Sequence, residues 1–309
     1  MEKVFTVAQI IVPIFAAIFL GMFARRKGSL SPEGVQGMQQ FVIRFALPCV
    51  LFNSCLGADM GAEAVTSMVL VFPLLLISAL WAFHARKKQF PYHNLPMLFA
   101  AQESGTLGIP LYMVLFGTEQ AYRMGVLDMA QAFLVIPVVA ILAANPGTNP
   151  KPGTIAKKVL TSPLLLMGAL GLVLNLTGAA AWLDTIGIGG ILRETTSFLA
   201  QPVSAVMLFA VGYNFSMEKG NRSAIFRIAG IHFAVMAVFC LIIQAGLLLV
   251  PDAAPETRWA VLLYCALPAS FLAPGLGRSR DDYAVASSVC SVLTVVCLVI
   301  FCAIAVAAA

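Results

Sequence analysis

Apolar stretches of roughly 20 residues follow one another along almost the whole chain, and this leaves it few ways to fold. They run from about 6 to 24, 38 to 57, 62 to 84, 95 to 116, 121 to 144, 158 to 177, 195 to 215, 225 to 250, 258 to 275 and 284 to 307. In hydrocarbon each backbone N–H and C=O must find its partner inside the protein, so a spanning segment is a helix or part of a closed barrel, and stretches of this length are helices. Composition agrees. With 60% hydrophobic and 11% charged residues and a mean hydropathy of +0.92, the chain cannot cover itself with the polar surface of a soluble domain. The sequence predicts an all-α, multi-pass integral membrane protein with ten transmembrane helices.

The basic residues predict its orientation. If the N-terminus lies outside, the inner loops hold Arg25–Lys27, Arg86–Lys88, Lys151, Lys157, Lys158, Lys219, Arg222, Arg227, Arg278 and Arg280. Outer segments keep Lys3, Arg123, Arg193 and Arg258, and Arg44 lies within the second span. Positive charge collects on the cytoplasmic side, so both termini are expected on the non-cytoplasmic face of the cell membrane. The net charge of +5 therefore reads as topology, not as a nucleic-acid footprint. The first span has no small-residue cleavage site behind it and reads as a retained helix.

The order of interruptions suggests a duplication. Five spans precede the polar linker Asn145 to Gly153 and five follow, so residues 1–150 and 151–309 would be two five-helix repeats of opposite orientation. Pro48 interrupts span 2 and Pro202 interrupts span 7. Span 4 is broken at Gln102-Glu103-Ser104-Gly105-Thr106-Leu107-Gly108-Ile109-Pro110, and span 9 at Leu267-Pro268-Ala269-Ser270-Phe271-Leu272-Ala273-Pro274-Gly275. Matching breaks at matching ranks point to an inverted-repeat secondary transporter with its site at the midplane.

The motifs Phe45-Ala46-Leu47-Pro48, Glu103-Ser104-Gly105-Thr106-Leu107-Gly108-Ile109-Pro110, Thr161-Ser162-Pro163 and Ala266-Leu267-Pro268-Ala269-Ser270, with the hydroxyl-bearing last span, carry a family resemblance. The whole chain resembles a bacterial member of the auxin efflux carrier family, whose plant members are the PIN proteins and whose fold is shared with the bile acid:sodium symporters. The resemblance implies ten helices in two inverted repeats. Spans 1, 2, 6 and 7 would form a scaffold and spans 3–5 and 8–10 a mobile transport bundle, with helices 4 and 9 crossing at their breaks. It further implies elevator-like, alternating-access transport of small organic anions such as auxin or dicarboxylates, and a homodimer through the scaffold.

A crossing of two broken helices gathers free N–H groups, suited to a carboxylate, and free carbonyls, suited to Na+ or a protonated group. Glu103, about 12 Å from the cytoplasmic start of its span, is the natural coupling residue. At that depth a carboxylate is protonated or paired with a cation, which leaves proton symport or a Na+ site with Gln102, Ser104, Thr106 and Ser270 open. A structural acid bonded to broken backbone is the alternative. Asp128 lies at similar depth in span 5 with Gln131 on the same face, and either meets Glu103 or faces an outer vestibule. Thr106, Ser270 and the backbone at Gly105, Gly108, Pro110, Pro268 and Pro274 are the expected substrate contacts, with Asn53 lining the scaffold side.

Softer candidates complete the reading. Ser287, Ser291 and Thr294 share one helix face, either as site hydroxyls or as packing contacts. Arg44 either snorkels to the surface or meets a substrate carboxylate, and Tyr213 and Asn214 suit an interfacial belt. The seven cysteines lie in spans without CxxC spacing and read as packing residues. No phosphate-binding loop, hydrolase elbow or zinc motif is present in the sequence, so neither an enzyme nor a bound cofactor other than a coupling ion is expected. An ion-responsive channel or sensor on the same fold is the competing function, with an intramembrane enzyme behind it.

Overall fold

The computed structural model describes residues 2–58, 61–143, 161–218 and 220–308. Among them it is all-helical apart from one isolated bridge between Gln102 and Ala269. Among the described residues seven helices are long and apolar enough to cross a membrane, or eight if one bent pair counts as a single span. The linker 145–153 and the basic residues Lys157, Lys158 and Lys219 lie outside the described residues.

Helix α1 (Glu2–Lys27) is followed by α2 (Pro32–Leu56), which starts six residues earlier than the apolar pattern suggested. The early start is set by Ser31, whose hydroxyl accepts the Gly34 N–H at 3.1 Å, and by Pro32 in the first turn. Within α2 the turn Val42–Ala46 widens to a π-turn, closed by Leu47 N–H donating to the Val42 carbonyl. Pro48 explains this. It has no N–H to offer the Arg44 carbonyl and its ring presses on that turn, so the ladder loosens before it. Arg44 is exposed. Helix α3 (Ala62–Ala85) crosses in one piece. Span 4 does not: α4 (Leu95–Ala100) is separated from α5 (Ser104–Phe116) by three non-helical residues, and α5 opens in a second π-turn, Ser104–Gly108, two residues ahead of Pro110. The two π-turns thus share one cause.

Helix α6 (Ala121–Ala143) completes the first half. Beyond the undescribed stretch, α7 (Pro163–Leu176) is a 14-residue helix that bends by 78° into the short α8 (Ala179–Thr185), past the expected end of span 6. Helix α9 (Ile188–Asn214) is longer than the expected span 7 and interrupted at Gln201-Pro202. Helix α10 (Arg222–Leu248) is uninterrupted. Span 9 is half a helix, α11 (Pro255–Ala266), followed by extended backbone and the 3-10 turn Pro274–Leu276, and α12 (Arg280–Ala308) ends the chain.

The helices pack in two groups. Helix α1 lies along the second half of α9, and α2 lies against α7 and the first half of α9. The α1–α9 contact brings backbones together: a Cβ on Gly21 would sit 2.0 Å from the Phe209 carbonyl oxygen, and one on Gly212 would sit 1.9 Å from that of Ile18. Small residues permit such approaches in a membrane, where packing drives helix association. Helices α3 to α6 and α10 to α12 pack on one another, with α10 touching α3, α11 and α12. The connector between the groups, residues 215–218, is stitched to α12. Ser291 Oγ donates to the Ser216 carbonyl at 2.7 Å, Ser287 and Ser216 hydroxyls pair at 3.2 Å, and Glu218 N–H donates to Ser288 Oγ at 3.1 Å.

Candidate functional site

Two broken segments meet inside the second group. Glu103 N–H donates to the Pro268 carbonyl at 2.9 Å and Ser270 N–H to the Ala101 carbonyl at 3.1 Å, an antiparallel pair that satisfies backbone left free where α4 and α11 end. Gly108 permits the close approach, since a Cβ there would lie 2.6 Å from a Leu267 methyl carbon.

Around this pairing the polar side chains form two layers. Glu103 faces the first. One carboxylate oxygen accepts the Thr106 hydroxyl and the other accepts the Phe271 N–H at 2.5 Å. Behind it Asp128, on α6, accepts the Ser104 hydroxyl and, at 3.0 Å, the Gln131 amide. Gln131 binds both backbone groups of Gln102, at 2.9 Å each, and its oxygen also takes the Tyr264 hydroxyl at 2.7 Å. The Gln102 side chain points the other way, to His232 Nε2 at 3.1 Å and Met236 sulfur at 3.0 Å. Gln102, Glu103, Ser104, Asp128, Gln131 and Ser270 are all buried.

A cavity of about 1010 Å³ runs from Arg25, Gly28 and Ser31, where α1 ends, down to Glu103 and Thr106. Its walls include Gln36 and Gln40 of α2 and Ser287, Ser291 and Thr294 of α12, so the hydroxyl face of the last helix does line it; Pro274 stands beside them. Phe271, whose N–H binds Glu103, also lines the cavity. At the mouth Arg25 Nη1 donates to the carbonyls of Tyr213 and Phe215, at 3.2 and 3.0 Å. Tyr213 is buried, its hydroxyl bonded to the Leu30 carbonyl at 2.8 Å, and so is a wall residue instead of part of an interfacial belt.

Of the residues singled out in the sequence, the structure gathers Gln102 to Thr106, Gly108, Asp128, Gln131, Pro268 and Ser270 at the crossing. Gly105 packs there too, within van der Waals reach of the Asp128 carboxylate for an added Cβ. Asn53 is elsewhere. It accepts the Thr196 hydroxyl at 2.5 Å and donates to Ser197 at 3.1 Å, fixing α2 to α9 away from the cavity lining. Pro110 turns its carbonyl to Ser204 of α9, at 3.4 Å. Sequence reading missed His232 and Tyr264, which carry no local pattern. It also missed a second buried cluster at the opposite end: Arg123, counted there as a loose outer charge, pairs with Glu63, and both bond Thr257 while Glu63 accepts the Ala254 N–H at 2.5 Å. Acid and base at the starts of α3 and α6 were the available signal.

A multi-helix membrane protein with two broken segments paired at the end of a deep cavity has the features of a solute carrier. Residues 6–159 match the family described as membrane transport protein. Over 300 residues the chain is also 22% identical to an uncharacterized transporter of Methanothermobacter thermautotrophicus, covering 94% of this chain and 95% of that one. The chain belongs to the auxin efflux carrier family of membrane transporters.

Proposed function

We propose that this transporter is a secondary carrier of small organic carboxylates, working by alternating access and coupled to protons through Glu103. The observation that carries the reading is the cavity that ends on Glu103 and Thr106 at the paired breaks. In this reading residues 1–150 and 151–309 are inverted repeats. The group α1, α2, α7 and α9 is the scaffold, and α3 to α6 with α10 to α12 is the moving bundle. The basic end of the cavity faces the cytoplasm and both termini face outward.

A proton suits Glu103 better than Na+. Both carboxylate oxygens already accept a donor, the Ala101 and Pro268 carbonyls are engaged in the bridge, and Ser270 Oγ accepts the Leu272 N–H at 3.3 Å. A Na+ shell needs several of these oxygens at once, whereas a proton or a single N–H donor needs only one free lone pair on a carboxylate oxygen. The test is uptake into proteoliposomes under imposed pH or Na+ gradients. Acid-driven, saturable carboxylate flux that becomes insensitive to the pH gradient in Glu103→Gln, with insertion unchanged, is the expected result. Unaltered pH dependence in that variant would sink the coupling role, and non-saturating flux without counterflow would indicate a channel.

A further inference from the structure

The charges at the crossing do not suit a plain anion. Two carboxyl groups, Glu103 and Asp128, stand on either side of the Ser104 turn, and the ion pairs Arg123–Glu63 and Arg193–Asp184 both lie elsewhere. The other ionisable neighbours are His232 of α10, which bonds Gln102, Tyr264 of α11, which bonds Gln131, and Cys290 of α12, whose sulfur lies 3.6 Å from the Ala269 carbonyl. Along the described cavity lining the charged side chains are one acid at the floor, Glu103, and one base at the mouth, Arg25. Between them the wall is neutral, with the amides of Gln36 and Gln40 and the hydroxyls of α12.

A substrate carboxylate brought to within 4 Å of an ionised Glu103, at an effective dielectric near 20, is disfavoured on the order of a thousandfold. A cationic group in the same place is favoured by a comparable factor before desolvation is counted. We propose that the substrate is a zwitterionic α-amino acid whose ammonium sits on Glu103 in place of the coupling proton and whose carboxylate lies along the neutral wall below Arg25. Proton and ammonium then compete for one carboxylate, so the carrier exchanges one for the other across the membrane. This rests on the transporter reading above and narrows its substrate.

The test is binding of matched ligands to the purified full-length chain by titration calorimetry. Each of the common amino acids is compared with the acid lacking its amino group and the amine lacking its carboxylate, for instance leucine, 4-methylvalerate and isopentylamine. For at least one skeleton the amino acid is expected to bind roughly 30-fold or more tightly than either truncated form, the loss typical of removing one partner from a desolvated charge pair. Glu103→Gln is expected to remove that preference and Glu103→Asp to retain it, with ligand-free melting temperatures showing that both variants fold. Carboxylates binding as tightly as their amino counterparts would overturn the zwitterion while leaving the carboxylate carrier standing. Amines binding as tightly would overturn it too, since the carboxylate would not be read. If no member of the panel bound, both readings would fall.

Discussion

Replacing Arg123 by methionine removes the guanidinium from a carboxylate that is otherwise enclosed. Arg123 Nη1 meets Glu63 and Thr257, and the two charged side chains are each about 10% exposed. Breaking a buried pair from one side costs about 3–5 kcal/mol, because the surviving charge stays desolvated. Here the Ala254 N–H and the Thr257 hydroxyl still support Glu63, which places Arg123→Met near the low end, about 3 kcal/mol. Glu63→Gln strands the arginine, though Gln120 still accepts its Nε–H at 2.9 Å, and a cost of about 2–3 kcal/mol is expected. The double variant holds no unpaired charge, and the amide oxygen that replaces the carboxylate at position 63 still accepts from the Ala254 N–H. It should lose about 2 kcal/mol, well under the sum of the singles, leaving a coupling of about 3–4 kcal/mol. Equilibrium unfolding in mixed micelles, followed by tryptophan fluorescence, measures all three. Additive losses, or single-variant losses below about 1 kcal/mol, would show a solvated pair that does not hold α3, α6 and α11 together.

Gly212→Val forces a side chain into the Ile18 carbonyl and should destabilise the α1–α9 contact by about 1–3 kcal/mol or more, read as a lowered melting temperature; an unchanged melting temperature would contradict the close backbone approach. Asn53→Ala should cost about 1 kcal/mol through its lost bonds to Thr196 and Ser197 while ligand titrations stay unchanged, and a weakened ligand would return Asn53 to the binding site. Ser291→Ala removes the hydroxyl that donates to the Ser216 carbonyl, and faster amide exchange of residues 215–218 is expected, with unaltered exchange counting against the stitching.

The broken segments were legible because each places Gly, Pro and polar residues inside an otherwise apolar run, a combination that has few uses in hydrocarbon. Gln131 was legible as well, since it follows Asp128 by one turn. What pairs with what was not. The bridge from Gln102 to Ala269 joins residues that no local period relates, and Tyr264 and His232 meet the glutamines only through the packing of α10 and α11. Hydropathy ends span 6 at 177, close to the last residue of α7, Leu176, but it gives no sign that Gly178, at a φ of 72°, turns the chain over into α8. The partners of Asn53 were hidden for a different reason: a lone amide in a span has to bond something, and here a neighbouring helix supplies Thr196 and Ser197. Tyr213 resembled an interfacial anchor only because its partner, the Leu30 carbonyl, lies in a distant turn.

The pairing of the two breaks also bears on how the chain is made. While ribosome and insertion machinery deliver the first five spans, Glu103 has no partner for its free oxygen, because the Phe271 N–H lies 168 residues further along. The Glu103 amide likewise waits for the Pro268 carbonyl. Through most of synthesis the newborn chain therefore keeps an acid and open backbone at a depth where lipid offers nothing in exchange. Assembly of this region must wait for residues 268–271, and a chain cut short before residue 268 would leave that acid and backbone without these partners.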